Sequence, residues 1–443
     1  MSRQYLTAAR CVNAVNRGAS FKTFCASQSK LGKTDYALAA ETLKHQSILH
    51  DVLNLCGISA KSLQVDSGLL DVMLYELLLG KKKIQGGGQV KRKILEYSSE
   101  LTQALHELMT KNSASHVSAL LPDAVQRMAQ VHRYLRINEL KIDITQGYHE
   151  LIEKFPLVKE DDLIPGLFAL PSECKGLGEM EEVKLGYFVV QDKASCIPSQ
   201  VLMDEWRNGD LVDACAAPGN KTSHMAALMF RKCNSSEKYS LCSIHAFEKS
   251  RDRFELLQRR IELMGASTIV STSNADFLSI DWSNYQSVSS ILLDPSCSGS
   301  GISKSLERSL ERSSGDQQRL LSLRSFQLKA LLHAMSCSSA EFIVYSTCSI
   351  NLEENESVVA EALHHARGKG WRLIAPQRFR DWERRGLRYE GLTEQESRCL
   401  IRCLPEDGMN GFFVALLHRD PDCNSMSRAR VLQRRLWRPL TCK

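Results

Sequence analysis

Two cysteines stand where a cysteine that merely packs as a small hydrophobe would not be expected. Cys297 lies in Asp294-Pro295-Ser296-Cys297-Ser298-Gly299, and Cys348 in Ser346-Thr347-Cys348-Ser349, both turn compositions rather than apolar runs. The thiolate is the reactive form, and it needs a partly exposed, electropositive setting. Lys221 and the N-termini of helices are the groups that can supply one. Asp294, three residues before Cys297, adds a carboxylate at the same place.

Leu211–Met225 reads LVDACAAPGNKTSHM, a short apolar run that breaks at Pro218-Gly219 and restarts in helix-forming residues from Thr222. It suits an ordinary strand-to-helix turn. It equally suits the first βα unit of an open sheet, whose ligands bind outside the carboxyl ends of the strands. Small residues (Ala214, Ala216, Ala217, Gly219) would let the backbone approach such a ligand, and the helix start offers free N–H groups. A phosphate-cradling loop is excluded, because Asn220 separates Gly219 from Lys221 and no glycine stands four residues upstream. A three-glycine dinucleotide loop is excluded as well. A nucleoside-like ligand without a phosphate chain fits, with S-adenosylmethionine the obvious one.

The elements that must position these groups alternate from Asp210 onward. After Leu211–Asp213, strands are expected at Ser240–Phe247, Thr268–Ser271, Val288–Leu293 and Phe342–Tyr345, with closing strands at Trp371–Ala375 and Gly411–Leu417. Helices are expected at Lys249–Met264, at Gln317–Cys337 and from near Glu353, where Glu353, Glu354 and Glu356 suit the helix dipole. Such a pattern predicts a mainly parallel sheet covered on both faces. Its strand ends then collect Asp213, Glu248, Asp276, Asp294, Cys297 and Cys348 along one edge. An acid at the end of the second strand, Glu248, is placed to accept hydrogen bonds from ribose hydroxyls, though such an acid also caps helices.

Upstream, Tyr36–Cys56, Asp66–Leu79 and Lys93–Lys111 read as helices. Between the last two, Gly80–Lys93 (GKKKIQGGGQVKRK) carries six cations, no anion and a glycine triplet, which predicts a flexible loop. Its charge suits a phosphate backbone or a solvated face. Arg133–Leu140 alternates like a strand, Gln146–Phe155 suits a helix, and Leu163–Leu170 and Gly186–Gln191 are β-prone. Arg133, Arg136 and Lys141 of this segment are expected to be exposed, toward nucleic acid or water. The expected domains are therefore a helical one at 1–125 with the basic loop 80–93, a small α+β module at 126–200, the alternating α/β domain at 201–420 and a basic tail at 421–443.

The chain has 443 residues, enough for roughly two or three domains, and a net charge of +6, so any nucleic-acid surface must be local. No apolar run approaches the length of a membrane span. Fifteen scattered cysteines without a Cys-x-x-Cys pair fit a reducing compartment without structural zinc. Met1–Lys33 holds six basic residues and no acid. That composition suits a mitochondrial presequence, but a basic first helix packed through Tyr5, Leu6, Val12 and Val15 is the favoured reading.

DACAAPGNKT, ILLDPSCSGSG and YSTCS, in this order, resemble the three signature blocks of the Sun-domain RNA (cytosine-5) methyltransferases. RYLRIN and VVQDKAS resemble that family's lead-in segments, so the likeness covers about Arg133 to Leu417. YELLLGKKKIQGGGQVKRK and the spelling DPSCSGSG are similar to the branch called Sun-domain member five, which acts on large-subunit ribosomal RNA. This extends the likeness to the N-terminal helices and argues against a removed presequence.

The resemblance implies a Rossmann-like methyltransferase sheet that binds S-adenosylmethionine. Cys215, Ala216, Ala217, Pro218, Gly219, Asn220 and Lys221 would wrap its methionine part. Glu248 would meet the ribose with Arg253 nearby, Asp276 the adenine, and Asp294 would sit between cofactor and base. Cys348 corresponds to the nucleophile and Cys297 to the second cysteine that helps release product, with Asp294 and Lys221 beside them. The family usually reads Asp-Ala-Pro-Cys where this chain reads Asp-Pro-Ser-Cys, which puts the presentation of Cys297 in question. The implied partner is large-subunit ribosomal RNA or its precursor, with no membrane, a monomeric protein, and a nuclear, nucleolar site of action ahead of a mitochondrial one. The alternatives are a DNA cytosine-5 methyltransferase, disfavoured because Ser296 precedes Cys297 and a second cysteine ends the fifth strand, and a non-catalytic RNA-binding scaffold.

Overall fold

The computed structural model describes residues 2–17, 19, 21–26, 28, 31–121, 126, 131–171, 174, 176–234, 242–302, 315–366 and 369–420. The expected basic tail and the first two residues of the expected strand Ser240–Phe247 lie outside them. Two compact units divide the chain, one essentially residues 1–129 and one running from Gln130.

The first unit is helical: α1 (Arg3–Asn16), α2 (Lys33–Leu55), α3 (Ser67–Leu78), α4 (Gln89–Glu96) and α5 (Ser98–Lys111). Helix α3 is apolar nearly all round and is buried nearly all round, with the Asp66 side chain accepting from the Leu69 N–H at its start. Gly68 lets α1 cross closely, since a Cβ there would stand 2.7 Å from Asn13 Oδ1 and 2.8 Å from the Ala9 carbonyl oxygen. Tyr5 and Val12 are buried as expected of a packed first helix, whereas Leu6 is exposed. The basic segment departs from expectation. It is pinned by buried Ile84, by the Gln85 N–H donating to the Tyr5 hydroxyl, and by α4, which begins at Gln89. The glycine triplet stays outside that helix, and Gly88 at its start has φ +121°.

The second unit carries two sheets. A small antiparallel one, in the order β2 (Lys159–Glu160), β3 (Leu167–Leu170), β1 (Arg133–Ile137), β4 (Phe188–Val190), packs Leu135, Ile137, Phe168 and Phe188 with Leu151 of α6 (Ile144–Lys154). Strand alternation puts Arg136 on the opposite face, and there it is buried, not exposed. Its guanidinium donates to Gln191 Oε1 at 3.0 Å and to Ser223 Oγ at 3.2 Å, and burial lowers its pKa to about 10.

The large sheet comprises β5 (Asp210–Asp213), β6 (Ile244–Phe247), β7 (Val270–Ser273), β8 (Val288–Leu293), β9 (Phe342–Thr347), β10 (Trp371–Ile374), β11 (Ile401–Cys403) and β12 (Phe412–Arg419). Its order is β10-β12-β9-β8-β5-β6-β7, with β11 pairing β12. β5 to β9 are parallel, and β10, β11 and β12 join antiparallel. Residues alternate between faces. Leu211, Leu292, Val344 and Val414 meet α7 (Lys193–Glu205), α8 (Asn220–Asn234) and α9 (Arg251–Leu263). Val212, Ile291, Ile343 and Phe413 meet α10 (Gly315–Met335) and α11 (Glu356–His365). With both faces covered, the strands read as near-continuous apolar runs. Strand order reverses at β5, and there the site is expected.

Candidate active site

Strand β5 ends at Asp213, whose buried carboxylate accepts from Thr222 Oγ1 at 2.7 Å. Burial, with Asp294 adding to it, raises the Asp213 pKa to about 6. The turn that follows is laced to neighbouring strands: the Ala214 N–H donates to the Leu292 carbonyl and the Ala216 N–H to that of Phe247, each at 2.9 Å. Gly219, with φ +103°, is a glycine for conformation and for packing, because a Cβ would meet Leu257 of α9 at 3.1 Å. The ligand approach expected of it is not its only constraint. Asn220 Oδ1 accepts from Arg260. Burial pushes the Cys215 thiol up, and the carboxylates of Asp213, Asp294 and Glu248 push it further, so this cysteine stays a neutral thiol.

At the end of β6, Glu248 is 6% exposed, accepts from the Ser250 N–H at 2.8 Å and stands 3.4 Å from Arg253. Arg253 also donates to the Ala217 carbonyl at 2.7 Å, tying the β5 turn to the acid. Asp276, after β7, accepts from Lys249 Nζ at 2.7 Å and from the Leu278 N–H, and these bonds hold its carboxyl below the usual range.

At the ends of β8 and β9 the two sulfurs meet, Cys297 Sγ to Cys348 Sγ at 3.0 Å. The displaced proline therefore does not keep the two apart. Asp294 accepts from Ser346 Oγ at 2.7 Å and pairs with Lys221 Nζ, also at 2.7 Å. Burial works to lower the Lys221 pKa, but Asp294, with Cys348 in the same direction, outweighs it and the net shift is upward. The ammonium also lies 5.2 Å from the Phe412 ring centroid. The Cys297 thiol is pushed well up, first by its hydrogen bond with Cys348, then by burial and by the charges of Asp294 and Glu354.

The group that the sequence reading assigned wrongly is Glu354. Helix α11 begins only at Glu356, so Glu356 stands in its first turn as expected, while buried Glu354 lies ahead of it. Glu356 is paired with buried Arg402 through two bonds of 2.7 and 2.6 Å. Glu354 accepts from the Ser298 N–H, Ser298 Oγ and Ser349 Oγ. A repeated Cys-Ser pair, Cys297-Ser298 and Cys348-Ser349, is the sequence signal that these two turns share a partner.

A nucleoside carrying a sulfonium fits the β5–β7 side of this edge. Glu248 presents a nearly buried carboxylate whose Oε2, among the described residues, has only the longer Arg253 contact, suited to ribose hydroxyls. Asp213, Glu248 and Asp294 together make the surroundings favourable to a positive centre.

Residues 200–418 match the family described as 16S rRNA methyltransferase RsmB/F, and residues 33–121 match the N-terminal domain of NOL1/NOP2/Sun domain family member 5. The 25S rRNA (cytosine-C(5))-methyltransferase NSUN5 of Arabidopsis thaliana is 34% identical over 411 residues, covering 90% of this chain and 69% of that one. The 28S rRNA (cytosine-C(5))-methyltransferase of Mus musculus is 35% identical over 408 residues, covering 87% of this chain and 83% of that one. A methyltransferase homologue from Pyrococcus horikoshii has the same fold, with a TM-score of 0.53 at 22% identity over 84% of this chain and 99% of that one.

Proposed function

Since the chain belongs to the NOL1/NOP2/Sun-domain family of ribosomal RNA (cytosine-5) methyltransferases, we propose that it methylates carbon 5 of a cytosine in large-subunit ribosomal RNA, using S-adenosylmethionine. The observation that carries this reading is the 3.0 Å approach of Cys297 and Cys348 beside the Asp294–Lys221 pair.

Carbon 5 of cytosine is a weak nucleophile. Addition of the Cys348 thiolate to carbon 6 forms an S–C bond and moves the ring π electrons toward carbon 5, which makes that carbon nucleophilic. Asp294 accepts from the amino edge of the base, and the Lys221 ammonium paired with it offsets the negative charge that develops in the ring. S-adenosylmethionine, when bound, supplies an electrophilic methyl group, and Cys215 to Lys221, Glu248, Arg253 and Asp276 are the residues that would hold it. Cys297 then assists departure: the carbon 5 proton passes to a base such as water, the C–H pair re-forms the ring double bond, and the S–C bond breaks with its electrons returning to Cys348. The target base must leave any stack to reach the thiols, at a cost of about a few kcal/mol.

The exposed cations of the 80–93 segment supply backbone affinity that offsets this cost. A substrate made in the nucleolus makes the nucleolus the proposed site of action. Mapping 5-methylcytosine in large-subunit ribosomal RNA with and without the protein tests the reading. One cytosine that loses its methyl group when the protein is absent is the expected result. An unchanged map, with cofactor still bound by the purified protein, would favour the non-catalytic scaffold.

A further inference from the structure

We propose that Glu354 is a positioning residue, a buried carboxylate that holds both cysteine turns in one register, with Gln327 of α10 bracing it. The proposal rests on the reading of Cys297 and Cys348 given above and adds to it the group that sets their geometry.

Glu354 Oε1 accepts from the Ser298 N–H at 2.7 Å and from Gln327 Nε2 at 3.0 Å. Its Oε2 accepts from Ser298 Oγ and Ser349 Oγ, each at 2.5 Å, and from Asn351 Nδ2 at 3.2 Å. Five donors on one fully buried side chain call for an acceptor-only carboxylate. Three of the donors belong to Ser298 and Ser349, the residues that directly follow the two cysteines, so a shift of Glu354 moves both sulfurs. Gln327 Nε2 donates to the Ser296 carbonyl at 3.0 Å, which grips the Cys297 turn from its other side. On the Cys348 side, Asn355 accepts from Thr347 Oγ1 at 2.5 Å and donates to the Ser349 carbonyl at 2.9 Å. The Tyr345 hydroxyl donates to the Glu354 carbonyl at 2.6 Å.

This carboxylate also has an electrostatic effect. The charged or titratable groups acting on Cys297 are Cys348, Asp294 (with Lys221 as its counter-ion), Glu354 and, across the strand ends, Tyr345. Glu354 adds to the push that keeps Cys297 protonated, so removing its charge lets Cys297 ionise at lower pH.

Two full-length variants test this. Glu354→Gln keeps the shape and removes the charge, and Glu354→Ala removes the brace. Alkylation of Cys297 by iodoacetamide across a pH series, mapped by mass spectrometry, needs no RNA. In Glu354→Gln, the Cys297 curve is expected to move to lower pH, with faster alkylation than wild type at a given alkaline pH. Alkylation of Cys215 should be unchanged. Superimposable Cys297 curves for wild type and Glu354→Gln would overturn the electrostatic part. In single-turnover methylation, Glu354→Ala should lose about 100-fold in rate, the scale of a 1 Å misplacement. Its KM for RNA and for S-adenosylmethionine should stay near wild type. A wild-type rate, or a loss confined to KM, would overturn the positioning role. If Glu354→Ala loses its cooperative melt, Glu354→Gln decides alone through its alkylation curve and the pH profile of its rate. A wild-type protein that methylates no RNA, yet shows the displaced alkylation curve, would refute the functional reading and leave this one standing.

Discussion

On the β6–β7 side of the strand-end edge, each acid accepts from a backbone N–H two residues on, and Asp276 is also met by Lys249 from 27 residues away. Glu248 takes the N–H of Ser250 and Asp276 that of Leu278, with the exposed Lys249 as its counter-ion. On the β8–β9 side the sulfurs are held from far along the chain. Glu354 draws Ser298 from 56 residues away and Gln327 from 27, and Lys221 reaches Asp294 from another strand's end. The first arrangement rests on short backbone contacts and on the side chains of Lys249 and Arg253. The second surrounds one buried carboxylate with five donors and fixes two reactive atoms to one another. A small ligand that can be gripped by several adaptable contacts tolerates local construction, whereas bond-making at carbon 6 needs the rigid kind.

The comparison is sharpened most by the two thiols. Cys348→Ala is expected to abolish product and any covalent RNA adduct. Cys297→Ala should methylate once and then stall with RNA attached through Cys348, seen as a slow-migrating, RNase-sensitive band on a denaturing gel. An adduct in Cys348→Ala with none in Cys297→Ala would reverse the assignment and revive a mechanism of the DNA-methyltransferase kind.

Next in size is Asp213, at the strand where the two sides meet. Its pKa is raised from 3.8 to about 6, so between those values the folded chain holds a proton that the unfolded chain has released. Stability therefore falls as pH climbs through that window and is level above it. Asp213→Asn removes the penalty and should gain on wild type by on the order of 2–3 kcal/mol at pH about 7, and by little at pH about 4. Thermal denaturation at the two pH values measures the difference. An equal gain at both would remove the buried carboxyl as its cause.

Glu248→Ala should weaken S-adenosylmethionine binding by roughly 1.5–3 kcal/mol, the worth of a hydrogen bond to a charged group. Calorimetry giving an unchanged affinity would take Glu248 out of the site. The smallest effect is expected in the basic segment of the first unit. Neutralising Lys81, Lys82, Lys83, Lys91, Arg92 and Lys93 should cost about tenfold in RNA affinity and flatten its salt dependence, with cofactor affinity unchanged. The loss is kept modest because Lys93 already donates to the Leu63 carbonyl, Lys91 to that of Gly86 and Lys82 to that of Leu78, and Lys81 faces Glu76 at 3.9 Å. That leaves Lys83 and Arg92 as the exposed cations without such a contact among the described residues. RNA binding that ignores all six changes would make the segment only a solvated face.

What the sequence determined by itself is whatever short-range patterning controls. The apolar runs of β8 and β9, the break at Pro218-Gly219, the buried α3 and the acid ending β6 all follow from periodicity and turn chemistry over a few residues. Even the small misplacements, such as β7 running over Val270–Ser273 instead of Thr268–Ser271, leave the order of elements intact. Tertiary structure decided the partners of buried polar groups. Arg136 in an alternating strand looks like a surface cation until Gln191 and Ser223 are found around it. Ile84 in a glycine-rich basic stretch looks like part of a flexible loop until the helical core closes over it. Glu354 and Glu356, read along the chain, suit a helix start, and only folding delivers Ser298, Ser349 and Arg402 to them. A polar side chain carries its hydrogen-bonding capacity wherever it stands, but leaving it unpaired in the interior costs about 1–3 kcal/mol, so its place is set by partners that the chain brings in from afar.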